Sequence, residues 1–93
     1  MKMTLSKKWK QFAATLEALG YEVECQMWDR GNSWYIWQNG EIMFELYNHS
    51  AGYTTTDRDG VRVEHHSAKK ARNAAYQWLL QRHCVIGMGV ATA

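Results

Sequence analysis

Asn39-Gly40 lies between two segments that alternate apolar and polar residues, and no other feature constrains the chain as tightly. A two-residue type I′ turn needs positive φ at both central positions, which Asn and Gly tolerate. Ser33 to Gln38 and Glu41 to Asn48 are therefore predicted to form a tight β-hairpin. The turn sets Gln38 opposite Glu41 and Trp37 opposite Ile42. A regular register beyond it sets Tyr35 against Phe44 and Ser33 against Leu46. Trp34, Ile36, Met43 and Glu45 then project from the other side.

The flanking segments extend this hairpin into a sheet. Val23, Cys25 and Met27 alternate with Glu22, Glu24 and Gln26, the pattern of a half-buried strand, and Asp29-Arg30-Gly31 forms a turn. A three-residue turn with Gly31 in a left-handed bulge adds Val23 and Cys25 to the Trp37, Tyr35 and Phe44 side, making that the core face. A four-residue loop reverses the parity. After a polar loop over His49 to Gly52, Tyr53 to Thr56 and Val61 to His65 flank Asp57-Arg58-Asp59-Gly60 as a second hairpin, with the Asp side chains capping their own backbone.

Helices are predicted on both sides of the strands. Leu5, Trp9, Phe12, Leu16 and Leu19 make one helical stripe over residues 5–19. Thr4 or Ser6 serves as N-cap, Gly20 as the left-handed C′ residue, and Tyr21 folds back onto Leu16 in a Schellman motif. Ser67 caps a second helix running to about His83, with Ala71, Ala74, Ala75, Trp78 and Leu79 inward and Lys69, Lys70, Arg72 and Asn73 outward. The expected fold is α+β, an antiparallel sheet of four to five strands with both helices packed on one face. Residues 1–83 form one domain, and 84–93 a tail or a short extra strand.

Composition narrows the function classes. With 93 residues the chain holds one core, and 46% hydrophobic residues with five Trp and five Tyr can fill it. A net charge of +2 marks neither a strongly basic nucleic-acid binder nor an acidic mimic of one. Met1 to Lys10 carries four lysines and helix-spaced apolar residues instead of a signal-peptide core, and no apolar run reaches membrane-spanning length. Cys25 and Cys84 are accordingly expected to be reduced thiols in a cytoplasmic protein, with Cys25 in the core.

No catalytic group, metal or cofactor is expected. His65-His66 point to opposite faces of a strand, His83-Cys84 is a lone pair, and zinc-type Cys-x-x-Cys or His-x-x-x-His spacing is absent. A metal site built from Cys25, His65 and Cys84 would need the fold to bring distant residues together. The outer sheet face is more informative. On this register it carries Trp28, Trp34, Ile36, Met43 and Tyr47 among Glu22, Glu24, Gln26, Glu41 and Glu45. Such a face is too apolar for idle solvent and too acidic for phosphates. Either the second hairpin or the tail covers it, or it docks a protein.

Three resemblances add to this. Ser67-Ala68-Lys69-Lys70-Ala71-Arg72-Asn73-Ala74-Ala75 resembles the start of the second helix of double-stranded-RNA-binding domains, although Ala68 replaces the first basic residue of that pattern. The resemblance implies phosphate contacts by Lys69, Lys70 and Arg72. The element order and the run Leu16 to Val23 are similar to small HicA-type interferase toxins, but Gly31-Asn32-Ser33-Trp34 lacks their catalytic histidine. In size and design the chain is similar to accessory inhibitors of phages and mobile elements, anti-CRISPR proteins included. The expectation is a non-enzymatic inhibitor docking on a host protein or ribonucleoprotein through Trp28, Trp34, Ile36, Met43 and Tyr47. The alternatives are an RNA-binding module and a degenerate toxin nuclease.

Overall fold

The computed structural model describes residues 5–92, with side chains for residues 5–82. Helix α1 (Lys7–Ala18) precedes strands β1 (Glu22–Trp28), β2 (Gly31–Gln38), β3 (Glu41–His49), β4 (Gly52–Asp57) and β5 (Arg62–His65), and helix α2 (Ala68–Thr92) follows. The five strands form an antiparallel meander in sequence order. Both helices pack on one face, α1 over β1 and α2 over β3 to β5.

The helix ends form as their residues dictate. Ser6 Oγ accepts from the Trp9 amide at 3.4 Å, and Ser67 Oγ accepts from the Lys70 amide at 3.1 Å. Gly20 takes φ +99°, its amide donating to Glu17 O and the Tyr21 amide to Leu16 O, the two bonds of a Schellman motif. This cap swings Tyr21 inward, where its hydroxyl donates to the Leu79 carbonyl of α2 at 3.0 Å. Residues 84–92 continue α2 and do not form a tail or a strand. Glycine in a helix costs about 1 kcal/mol, and the segment has no proline to break the backbone ladder.

The hairpin turns explain which residues face the helices. Asn39 and Gly40 adopt φ +53° and +78°, the type I′ geometry, with Gln38 opposite Glu41 and Trp37 opposite Ile42 as predicted. One step further the register slips. Ile36 pairs with Phe44, leaving Met43 as the extra residue of a β-bulge. The β1–β2 connection also differs from expectation. It is a two-residue turn, Asp29-Arg30, with Trp28 paired to Gly31, and Gly31 belongs to the strand. A Cβ on Gly31 would run into the Asn48 carbonyl, so this glycine is needed for close backbone approach and not for a left-handed bulge.

Each irregularity shifts β2 by one residue relative to a neighbour. β1 and β3 therefore keep their predicted faces for Val23, Cys25, Phe44 and Leu46, while β2 turns over. Trp34 and Ile36 are buried under the helices, and Tyr35 and Trp37 lie on the open side. The core joins Trp9, Phe12 and Leu16 of α1 to Trp34, Ile36, Met43, Phe44 and Leu46, and to Ala71, Ala75 and Leu79 of α2. At its centre Trp34 stacks on Trp9 at 5.3 Å and meets Phe12 edge-on at 5.4 Å. Trp78 lies beside Phe44.

Polar groups in this core are matched. Trp34 Nε1 donates to Asn32 Oδ1 at 2.8 Å, and Asn48 Nδ2 donates to the same oxygen at 3.1 Å. Among the described residues no buried side-chain nitrogen or oxygen lacks a partner. Cys25 faces the core but is only half-buried, because β1 is an edge strand covered by α1 alone.

Two outcomes follow for denaturant unfolding. Trp34→Ala should lose about 3–5 kcal/mol and Trp37→Ala about 1 kcal/mol or less; equal losses would mean that β2 faces the other way. Gly31→Ala should cost about 1–3 kcal/mol through its clash with β3, read from the same midpoints.

Candidate protein-docking face

Among the described residues no element covers the sheet face away from the helices. Its rows follow from the register. Glu24, Tyr35, Glu45, Thr56 and Arg62 lie side by side across the five strands. Gln26, Ser33, Tyr47, Thr54 and Glu64 form the adjacent row. Trp37 flanks the first row and Trp28 lies beyond the second. Among the described residues four large aromatics thus share one face with Glu22, Glu24, Glu45 and Glu64, against one cation, Arg62.

Local bonds hold several of these rings. Trp28 Nε1 donates to Ser33 Oγ at 2.8 Å, and Trp37 Nε1 donates to Glu24 Oε1 at 3.0 Å. Tyr47 stacks on His49 at 5.4 Å between centroids. Trp28 and Tyr47 remain 45% and 44% exposed, too much for core residues yet pinned more firmly than free surface rings. Between Tyr35, Glu45, Tyr47, Thr54, Thr56 and Arg62 the face dips into a shallow cavity of about 120 Å³. It can seat one side chain of a partner, which would meet a carboxylate and two phenol rings.

The predicted docking residues divide. Trp28 and Tyr47 stand on the open face. Trp34, Ile36 and Met43, at 1%, 0% and 6% exposure, are core residues and cannot touch a partner in the folded protein. Their places are taken by Tyr35 and Trp37, which an unbulged register predicts to face the core. The bulge at Met43 and the two-residue Asp29-Arg30 turn cause this exchange, and neither has a residue signature of its own. The face is not covered by the second hairpin, whose strands β4 and β5 extend the sheet sideways.

The basic residues singled out in the second helix lie in the other layer. Lys69 and Lys70 are exposed in the first turn of α2, whereas Arg72 lies over the Trp9 ring at 4.6 Å. The metal-type residues stay apart. Among the described residues no three His, Cys, Asp or Glu side chains converge, and the His83 and Cys84 side chains lie outside those described. Burial pushes the Cys25 thiol pKa up, which disfavours the nucleophilic thiolate. Tyr21 is also raised by burial, partly offset by Arg82. No described helix is long and apolar enough to cross a membrane. The Asp57 to Gly60 turn closes as expected, with Asp57 Oδ1 accepting from the Asp59 and Val61 amides.

In comparisons with family models, with curated proteins and with solved structures, the chain matches nothing.

One titration is built into the sheet. His65 Nε2 and Thr55 Oγ1 share a hydrogen bond at 2.8 Å, and partial burial lowers the His65 pKa below its ordinary 6.5. The folded state therefore binds the proton less readily than the unfolded chain. The contribution of neutral His65 to stability is complete above pH 6.5 and is lost as pH falls through the folded-state pKa. Melting temperature should drop on acidification through this range, and His65→Asn should flatten that part of the profile. An unchanged profile in the variant would assign the drop to other groups.

Proposed function

We propose that this chain is a non-enzymatic binding protein, acting as a small inhibitor that docks through its open sheet face on a partner protein. The observation that carries the proposal is the grouping of Trp28, Tyr35, Trp37 and Tyr47 on one helix-free sheet face, with both indoles held by hydrogen bonds. Tyr and Trp supply large contact area with few rotatable bonds, so little entropy is lost when they are covered. The flanking glutamates select the partner's chemistry. Lysine and arginine side chains on the partner would pair with Glu24 and Glu45 and lie on the rings between them.

Such a partner includes proteins that handle nucleic acids, whose working surfaces are basic, and occupying that surface is sufficient for inhibition. The fold is compatible with this mode, because the face is a rigid sheet and needs no ordering on binding. The same face disfavours direct contact with phosphates, which its four carboxylates would repel.

The test compares the wild type with Trp28→Ala/Tyr47→Ala and with Glu24→Lys/Glu45→Lys, each first confirmed to melt like the parent. Capture from nuclease-treated extract, followed by affinity measurement on the purified partner, should show a loss of at least about tenfold in both variants, since exposed anchor residues of this kind carry 1–2 kcal/mol or more each. A partner that binds both variants as well as the wild type would place the interface elsewhere.

A further inference from the structure

The modest net charge conceals a separation of charge between the two layers. The described parts of α1 and α2 carry seven lysines and arginines against one carboxylate, Glu17. Strands and turns from residue 22 to residue 66 carry three arginines against eight carboxylates. Net charge, read from composition, averages this away.

The packing gathers most of the cations at one end of the helical layer. Arg72 of α2 lies over Trp9 of α1, and four residues on Tyr76 meets Phe12, so the two helices run side by side in the same direction. Their first turns are therefore neighbours. Lys7, Lys8 and Lys10 come from one and Lys69 and Lys70 from the other, with Arg72 following at the start of the second turn of α2. The five lysines are exposed, and neither helix has an acidic residue in its first turn. The ion pairs among the described residues belong to Arg58 and Arg82, away from this group. Cations in a first turn also oppose the helix macrodipole, where acidic residues would stabilise. Arg72 is held over Trp9, but the five exposed lysines repel one another, and a polyanion would relieve that repulsion.

We infer that the joined first turns of α1 and α2 form a second binding surface, which holds the phosphate backbone of a nucleic-acid duplex. The choice of a duplex over a single strand comes from the aromatics. Single-strand binding relies on exposed rings on which bases stack. In the helical layer Trp9 and Phe12 are buried, Trp78 lies beneath Arg82 at 3.5 Å, and the exposed rings are on the opposite, acidic face. Lysines alone give backbone contacts without sequence reading. This surface is separate from the docking face, so one chain can hold a partner protein and a duplex at once, as a ribonucleoprotein or a DNA-bound target would present them.

Fluorescence anisotropy with a labelled RNA duplex, and in parallel a DNA duplex, tests this on the full chain across a salt series. With up to six phosphate contacts, affinity should fall roughly a thousandfold between about 50 and 200 mM monovalent salt. K7Q/K8Q/K10Q should reduce the slope of log Kd on log salt by up to about 2.7 units, and K69Q/K70Q by up to about 1.8. Both variants should melt at or above the parent temperature, which separates lost binding from lost folding. Trp28→Ala/Tyr47→Ala should bind the duplex like the wild type, so failure of the sheet-face proposal leaves this result intact. The inference is overturned if neither duplex binds at low salt, or if the lysine variants bind as the parent does. It is also overturned if phosphatidylserine vesicles or polyglutamate bind while the duplexes do not. Lysine-dependent self-association at low salt without duplex binding would assign the surface to the acidic sheet face of a second copy, and would overturn it equally.

Discussion

Trp34 is the side chain on which the rest of the packing depends. Its indole stacks on Trp9 and receives Phe12 edge-on, so two successive turns of α1 are held against β2 by one ring. Aromatic pairs in these geometries add about 0.5–1.5 kcal/mol beyond the burial of their area. The indole N–H is satisfied by Asn32, which also binds Asn48 on the next strand. A buried Trp with an unmatched N–H would be costly, so this polar link is part of what allows the ring to occupy the centre.

Once Trp34 points inward, the alternation of a strand turns Ser33, Tyr35 and Trp37 outward. The open face thereby acquires its aromatics from the strand that anchors the core. The same strand also stiffens that face, since Ser33 holds Trp28 and Glu24 holds Trp37. Packing inside and presentation outside are two consequences of one strand orientation.

The layered architecture also sorts charge. Helix surfaces rich in lysine lie above the core, and carboxylates line the exposed sheet face below it. The two layers therefore present surfaces of opposite charge on the two sides of one small domain. Tyr21 ties the layers together, because the Schellman turn at Gly20 delivers its hydroxyl to the α2 backbone.

Much of the fold was legible in the residues. The two Ser N-caps, the Gly20 cap, the Asn39-Gly40 turn and the Asp57 turn are local devices whose chemistry acts within a few positions, and all formed as read. The α+β class and an antiparallel sheet of four to five strands followed from the order of those signals, and the five-strand meander order came from the tertiary structure. The orientation of β2 could not be read this way. It depends on a bulge at Met43 and on Gly31 approaching the Asn48 carbonyl, and both are contacts between strands. A strand's side-chain period is two, so a one-residue slip exchanges its faces completely, and Trp34 and Ile36 changed places with Tyr35 and Trp37. Likewise the lysines of α1 and α2 are about sixty residues apart in the chain, and only the parallel packing of the helices makes them neighbours. Local chemistry determined the elements, and tertiary contacts decided which surfaces those elements present.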